Sequence, residues 1–145
     1  RQMCIRDRPA GSIQGWLCRN GTIATQGGAL AIRPDPQAAK NAKPFLAKTG
    51  LMLAGPVTAV IRAEAGAAAA CSLSWRTKEQ HDFLPANLVR FTLPAGSSEQ
   101  TVVLPVAGQA IHVRLHLGDH AEGVKLRSIE LRPTSGKADI TDFSR

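Results

Sequence analysis

Residues 69–77 read Ala69-Ala70-Cys71-Ser72-Leu73-Ser74-Trp75-Arg76-Thr77. Cys71, Leu73 and Trp75 fall on one side of an extended chain; Ser72, Ser74 and Arg76 fall on the other. Alternation over this length predicts a strand with one dry face and one wet face. Trp75 is one of two tryptophans in a chain without tyrosine. Its apolar companions make it a core anchor rather than an exposed sugar-stacking ring. Trp16, between Gly15 and Leu17, carries the same two readings.

The flanking segments repeat the pattern. Val57, Ala59, Ile61 and Ala63 alternate with Thr58, Val60, Arg62 and Glu64. The alanines of residues 67–70 favour helix on propensity, but four residues are too few to nucleate one. A hairpin with a small-residue turn is therefore expected between the two strands. Downstream, Val89, Phe91 and Leu93 share a face. Ile111, Val113, Leu115 and Leu117 alternate with His112, Arg114 and His116. In residues 124–132 the apolar set shifts from Val124 and Leu126 to Ile129 and Leu131, which predicts a β-bulge near Arg127 and Ser128. Residues 94–98 read as a turn and 100–104 as a strand. Upstream, residues 12–18 form a first strand through Ile13 and Trp16, and Asn20-Gly21 is a turn signal. Short strands follow at 22–25, 29–33, 44–47 and 51–53. Residues 34–43, with a helical turn at 37–41, and 78–85 are polar loops of the kind that often carry binding. Many short strands with Gly/Pro turns predict an all-β antiparallel β-sandwich of jelly-roll type. An immunoglobulin-like sandwich is the runner-up, without its Cys-Trp-Cys framework.

The chain has 145 residues and a formal net charge of +7. Residues 1–8, Arg-Gln-Met-Cys-Ile-Arg-Asp-Arg, read as a translated sequencing adapter and are set aside. Three arginines and one aspartate go with them, leaving about +5. The chain is then expected to be the C-terminal piece of a longer protein. Residues 9–133 suit one sandwich domain, and residues 134–145 read as a polar C-terminal tail. No run approaches the ~18–20 apolar residues of a membrane span. Lysines and arginines are scattered, without a basic helix, zinc-finger spacing or aromatic platform, so nucleic acid is not expected as a partner. Affinity for an anionic polysaccharide stays open. Cys18 and Cys71 make no zinc pattern. Buried thiols are favoured over a disulfide, which would need their backbones close together.

No motif supplies a nucleophile with its base. There is no Gly-x-Ser-x-Gly, Walker loop or His-Glu-x-x-His. Neither Cys18 nor Cys71 begins the Cys/Ser-x-Pro-x-Arg motif that sulfatases mature. No catalytic residue is assigned, and the chain is expected not to be an enzyme. His112 and His116 lie roughly 13 Å apart along a strand, too far to share one ion. No cofactor is expected; a structural calcium held by Asp35, Asp82, Asp119 and Glu130 is the alternative left open. The candidate ligand-binding set is Arg76, His81, Asp82, His112, Arg114 and His116. Guanidinium forks suit sulfate and carboxylate groups, and the histidines would add charge below roughly pH 6.5. Loops 35–43 and 78–82 are the first places to look for a ligand.

The order of features resembles that of β-sandwich modules appended to the C-terminal end of secreted bacterial sulfatases. These modules are similar to galactose-binding-like jelly rolls. The residues carrying the resemblance are Gly15-Trp16, Asn20-Gly21, Gly28-Ala29-Leu30, Asp35 and Pro44-Phe45-Leu46. After them come Leu53-Ala54-Gly55-Pro56-Val57, Ser74-Trp75-Arg76-Thr77, residues 89–93 and Ile129-Glu130-Leu131. Where many such modules carry an aspartate before the final Ile-Glu-Leu, this chain has Arg127. The resemblance implies a non-catalytic accessory module, extracellular or periplasmic, covalently linked to an upstream catalytic domain and presenting sulfated glycans to it. Two other readings stand beside it: a purely structural sandwich without ligand, and an appendage of another carbohydrate-active enzyme such as a glycoside hydrolase.

Overall fold

The computed structural model describes residues 12–37, 43–118 and 120–144. The adapter-like residues 1–8, most of the turn expected at 37–41, and Asp119 lie outside them. The strands are β1 (Ser12–Ile13), β2 (Trp16–Arg19), β3 (Gly21–Gln26), β4 (Ala29–Pro34), β5 (Phe45–Lys48), β6 (Leu53–Ala54), β7 (Val57–Ala65), β8 (Ala69–Thr77), β9 (Leu88–Leu93), β10 (Gly96–Leu104), β11 (Gln109–His116), β12 (Val124–Arg132) and β13 (Asp139–Asp142). Between β11 and β12 the residues Ala121–Gly123 make one 3₁₀ turn. No α-helix occurs among the described residues.

Two antiparallel sheets face each other, as a jelly-roll sandwich requires. The front sheet runs β1-β2-β5-β11-β8-β9, with β6 also paired to β11. The back sheet runs β10-β7-β12-β4-β3, with β13 paired to β12. The alternation read from the sequence sets the inward faces. Leu46, Leu73, Val113 and Leu115 of the front sheet meet Leu30, Ile61, Ile129 and Leu131 of the back sheet, all fully buried. Burying each such side chain is worth about 1.5–3 kcal/mol. Trp75 and Trp16 are both in this core, at 2% and 0% exposure. The expected bulge is present: the pairing of β12 with β7 shifts register between Leu126 and Ser128.

Four expectations need correction. First, β7 and β8 do not form a hairpin. They lie in different sheets, so the small residues at 66–68 serve a crossing between sheets, tied down by the Gly66 N–H donating to the Gly123 carbonyl at 3.0 Å. Second, residues 12–18 are not one strand. Gln14 and Gly15 have φ of 51° and 89° and fold β1 back onto β2. Third, the turn expected at 94–98 is shorter, because β10 already begins at Gly96. Fourth, residues 134–145 are not merely a polar tail. β13 extends the back sheet against β12, and Phe143 is buried to 1% exposure. The sandwich therefore continues past residue 133.

Candidate functional site

Register decides what the outer face of the front sheet presents. On β11, His112 pairs with Arg76, Arg114 with Ser74 and His116 with Ser72 of β8. On its other side Arg114 pairs with Ala47 and His116 with Phe45 of β5. β5 in turn sets Ala47 beside Leu17 and Phe45 beside Arg19 of β2. Paired residues share a face. Arg19, Phe45, Arg76, His112, Arg114 and His116 therefore stand on one surface, drawn from four strands.

The loop of residues 78–87 folds over this surface because its own polar groups hold it there. The Gln80 Oε1 accepts from the Thr77 N–H at 3.0 Å and from Asn87 Nδ2 at 2.8 Å. Arg76 Nη1 donates to the Gln80 carbonyl at 2.6 Å. Phe83 is thereby laid over β11. Its ring meets the His112 imidazole edge-on at 4.7 Å, and the Arg114 guanidinium carbon stands 3.9 Å from the Phe83 ring centre. The same guanidinium lies 5.4 Å from Phe45, whose ring stacks on His116 at 4.6 Å. Arg114 is thus flanked by two phenyl rings, a favourable cation–π arrangement.

Charge on this surface is unbalanced. Burial, then Arg19 and Arg76, pull the Arg114 pKa below its ordinary value. Burial, then Arg114, Arg76 and Arg19, do the same to His112. Burial, then Arg114, lower His116. Both imidazoles are therefore held toward their neutral form. Arg114 Nε and His116 Nδ1 are buried without a hydrogen-bond partner. The carboxylate-paired arginines lie on the back sheet instead. Arg62 bonds Glu99 at 2.7 Å and Glu130 at 2.8 Å, Arg132 also reaches Glu130, and Arg127 meets Glu64 at 3.0 Å.

A cavity of about 470 Å³ is lined by Arg76, His81, Asp82, Phe83, His112 and Arg114. Five of the six residues proposed from sequence line it; His116 does not, and stacks instead on Phe45. A smaller cavity of about 90 Å³ adjoins it, sharing His112 and Arg114 and adding Arg19, Phe45 and Thr49. Arg19, Phe45 and Phe83 were not singled out as site residues from sequence. For Arg19 the signal was present, since it falls out of phase with the buried Trp16 and Cys18. Asp35, Asp82 and Glu130 do not converge. Asp35 accepts from the Gln37 N–H, Glu130 sits between two arginines of the back sheet, and Asp82 belongs to the front-sheet loop. No group of three or more His, Cys, Asp or Glu suited to a metal ion occurs among the described residues.

No protein-family model matches the chain, and no curated protein matches it. Solved structures do. One described as "CBM4 structure and function" is similar over 89% of this chain and 95% of its own, with TM-score 0.52 and 12% identity. A family 29 carbohydrate binding module is similar over 88% of this chain and 82% of its own, with TM-score 0.46 and 14% identity. An Arthrobacter globiformis isomalto-dextranase complexed with panose is similar over 83% of this chain and 24% of its own, with TM-score 0.45 and 16% identity. At 12% identity the first of these likenesses, with its TM-score of 0.52, shows a shared β-sandwich fold and nothing finer.

Proposed function

We propose that this chain is a non-catalytic accessory module that binds an anionic glycan on the outer face of its front sheet. One observation carries the reading. Arg114, held between Phe83 and Phe45, faces Arg19 and Arg76, and Asp82 is the one carboxylate lining either cavity among the described residues. Like charges brought together at the cost of lowered pKa values are the arrangement expected of a site completed by a ligand of opposite sign. The similarity in fold to carbohydrate-binding modules supports the sugar half of the reading. The resemblance in sequence order to sulfatase-appended modules supports a sulfated polymer, a covalently linked upstream hydrolase and a secreted setting.

The test is a panel of sulfated, uronate-bearing and neutral polysaccharides against the wild-type chain and Arg76→Ala/Arg114→Ala. The expected result is binding to an anionic member only, weakened by salt and by the double substitution. Binding that ignores both salt and the arginines would sink the electrostatic reading. Binding to no member would leave a purely structural module.

A further inference from the structure

The two cavities differ in what they can hold. At about 90 Å³ the smaller has the volume of roughly three liquid waters. That suits a group of a few heavy atoms better than a pyranose ring. The larger, at about 470 Å³, is open enough for a ring. The smaller one exists because of a register coincidence. Ala47 lies between Leu17 and Arg114 in one cross-strand row, and its methyl leaves a gap where a longer side chain would fill the surface. Arg19 reaches this gap from β2, Arg114 and His112 from β11, and Thr49 from the end of β5. Among these lining residues there are two guanidiniums and no carboxylate.

We propose that this small pocket is a subsite for one oxyanion substituent, a sulfate ester or a carboxylate carried by a sugar ring seated in the larger cavity. Arg19 is its specificity-determining residue. The inference rests on the glycan reading for the ring, but the pocket's preference for an oxyanion follows from its own lining. Arg19 and Arg114 line the same small pocket, and after burial the charge of Arg19 is what most disfavours that of Arg114. A bound oxyanion would accept hydrogen bonds from both forks and relieve their repulsion. It would also favour a proton on His112, which burial, then Arg114, Arg76 and Arg19, now oppose.

The experiment measures binding of inorganic sulfate, a sulfated polysaccharide, a uronate polysaccharide and a neutral one to the full chain by calorimetry. The variants are Ala47→Leu, which fills the pocket without removing charge, Arg19→Gln, and Arg90→Gln. Arg90 is on the same face, paired with Ser72, but lines neither cavity. Circular dichroism checks that each variant folds. Ala47→Leu and Arg19→Gln should each weaken the preferred anionic ligand by about tenfold or more. Arg90→Gln should stay within about threefold, as for a solvated charge. The polysaccharide that responds identifies the oxyanion as sulfate or carboxylate. Equal losses for Arg19→Gln and Arg90→Gln, or no response to either pocket variant while a glycan still binds, would overturn the subsite and leave the glycan reading standing. Inorganic sulfate binding that is lost in both pocket variants, with no polysaccharide bound, would uphold the pocket and overturn the glycan reading. No binding of any probe would overturn both.

Discussion

The Trp16 indole N–H donates to the Thr141 hydroxyl at 3.1 Å inside the core, so a side chain of the second strand fastens the last one. Lys48 and Asp139 add a half-buried ion pair at 2.8 Å between the same two sheets. Thr141→Val keeps the shape and leaves the indole unpaired. It should cost about 1–3 kcal/mol in chemical denaturation. Phe143→Ala, which opens a cavity, should cost about 3–5 kcal/mol. Losses below about half a kcal/mol in both would mean that the C-terminal strand is dispensable.

Cys18 and Cys71 are free and buried, and burial pushes each thiol up to about 11. In a Cys4→Ser chain, neither should react with a thiol reagent at pH 8 until denaturant is added, because the thiolate is the reactive species. Rapid labelling of the folded chain would show that the sandwich opens there.

Acid should weaken the free protein through His112 and His116. Their folded pKa values are lowered, so their contribution is intact above the unfolded value near ~6.5. As pH falls below that, the unfolded chain takes up protons that the folded state resists, and stability drops until the folded values are passed. The melting temperature of His112→Gln/His116→Gln should therefore fall less between pH 7.5 and 5 than that of wild type. Parallel curves would show that other groups dominate the acid response.

Gly118 has a φ of 82°, and a Cβ there would stand 2.8 Å from the Ala70 carbonyl oxygen. Gly27 has a φ of 59° with nothing near. Gly27→Ala should cost about 1 kcal/mol from backbone strain alone. Gly118→Ala should cost more, about 1–3 kcal/mol, measured by the same denaturation. Equal losses would mean the neighbouring strand yields.

Local alternation made most strands legible, and with them the burial of Trp75 and the bulge beside Ser128. It failed where the decisive fact was a partner far along the chain. β7 and β8 are adjacent in sequence and alternate cleanly, which suggested pairing, but β7 finds β10 and β12 instead. β13 is four residues with polar ends, and its place depends on Trp16 and on the groove that receives Phe143. The site divides in the same way. Arg76, His112 and Arg114 could be named because each falls on the wet phase of its own strand. That Arg76 stands opposite His112 is a matter of register, as is the gap over Ala47. Phe83 lies in a loop whose course is set by Gln80 and Asn87, and no periodicity marks such a position.

The separation of charge between the two sheets has a consequence for how the molecule arrives at a target. Carboxylates pair with Arg62, Arg127 and Arg132 of the back sheet, while Asp82 is the one carboxylate lining the two cavities that hold Arg19, Arg76 and Arg114 among the described residues. Among the described residues, the surface around Arg114 therefore carries an excess of positive charge. Near a polyanion that excess would bias the approach, turning the Arg114 surface toward the polymer before any contact forms. Productive encounters would then outnumber random ones at low ionic strength and lose that advantage as salt shortens the reach of the field.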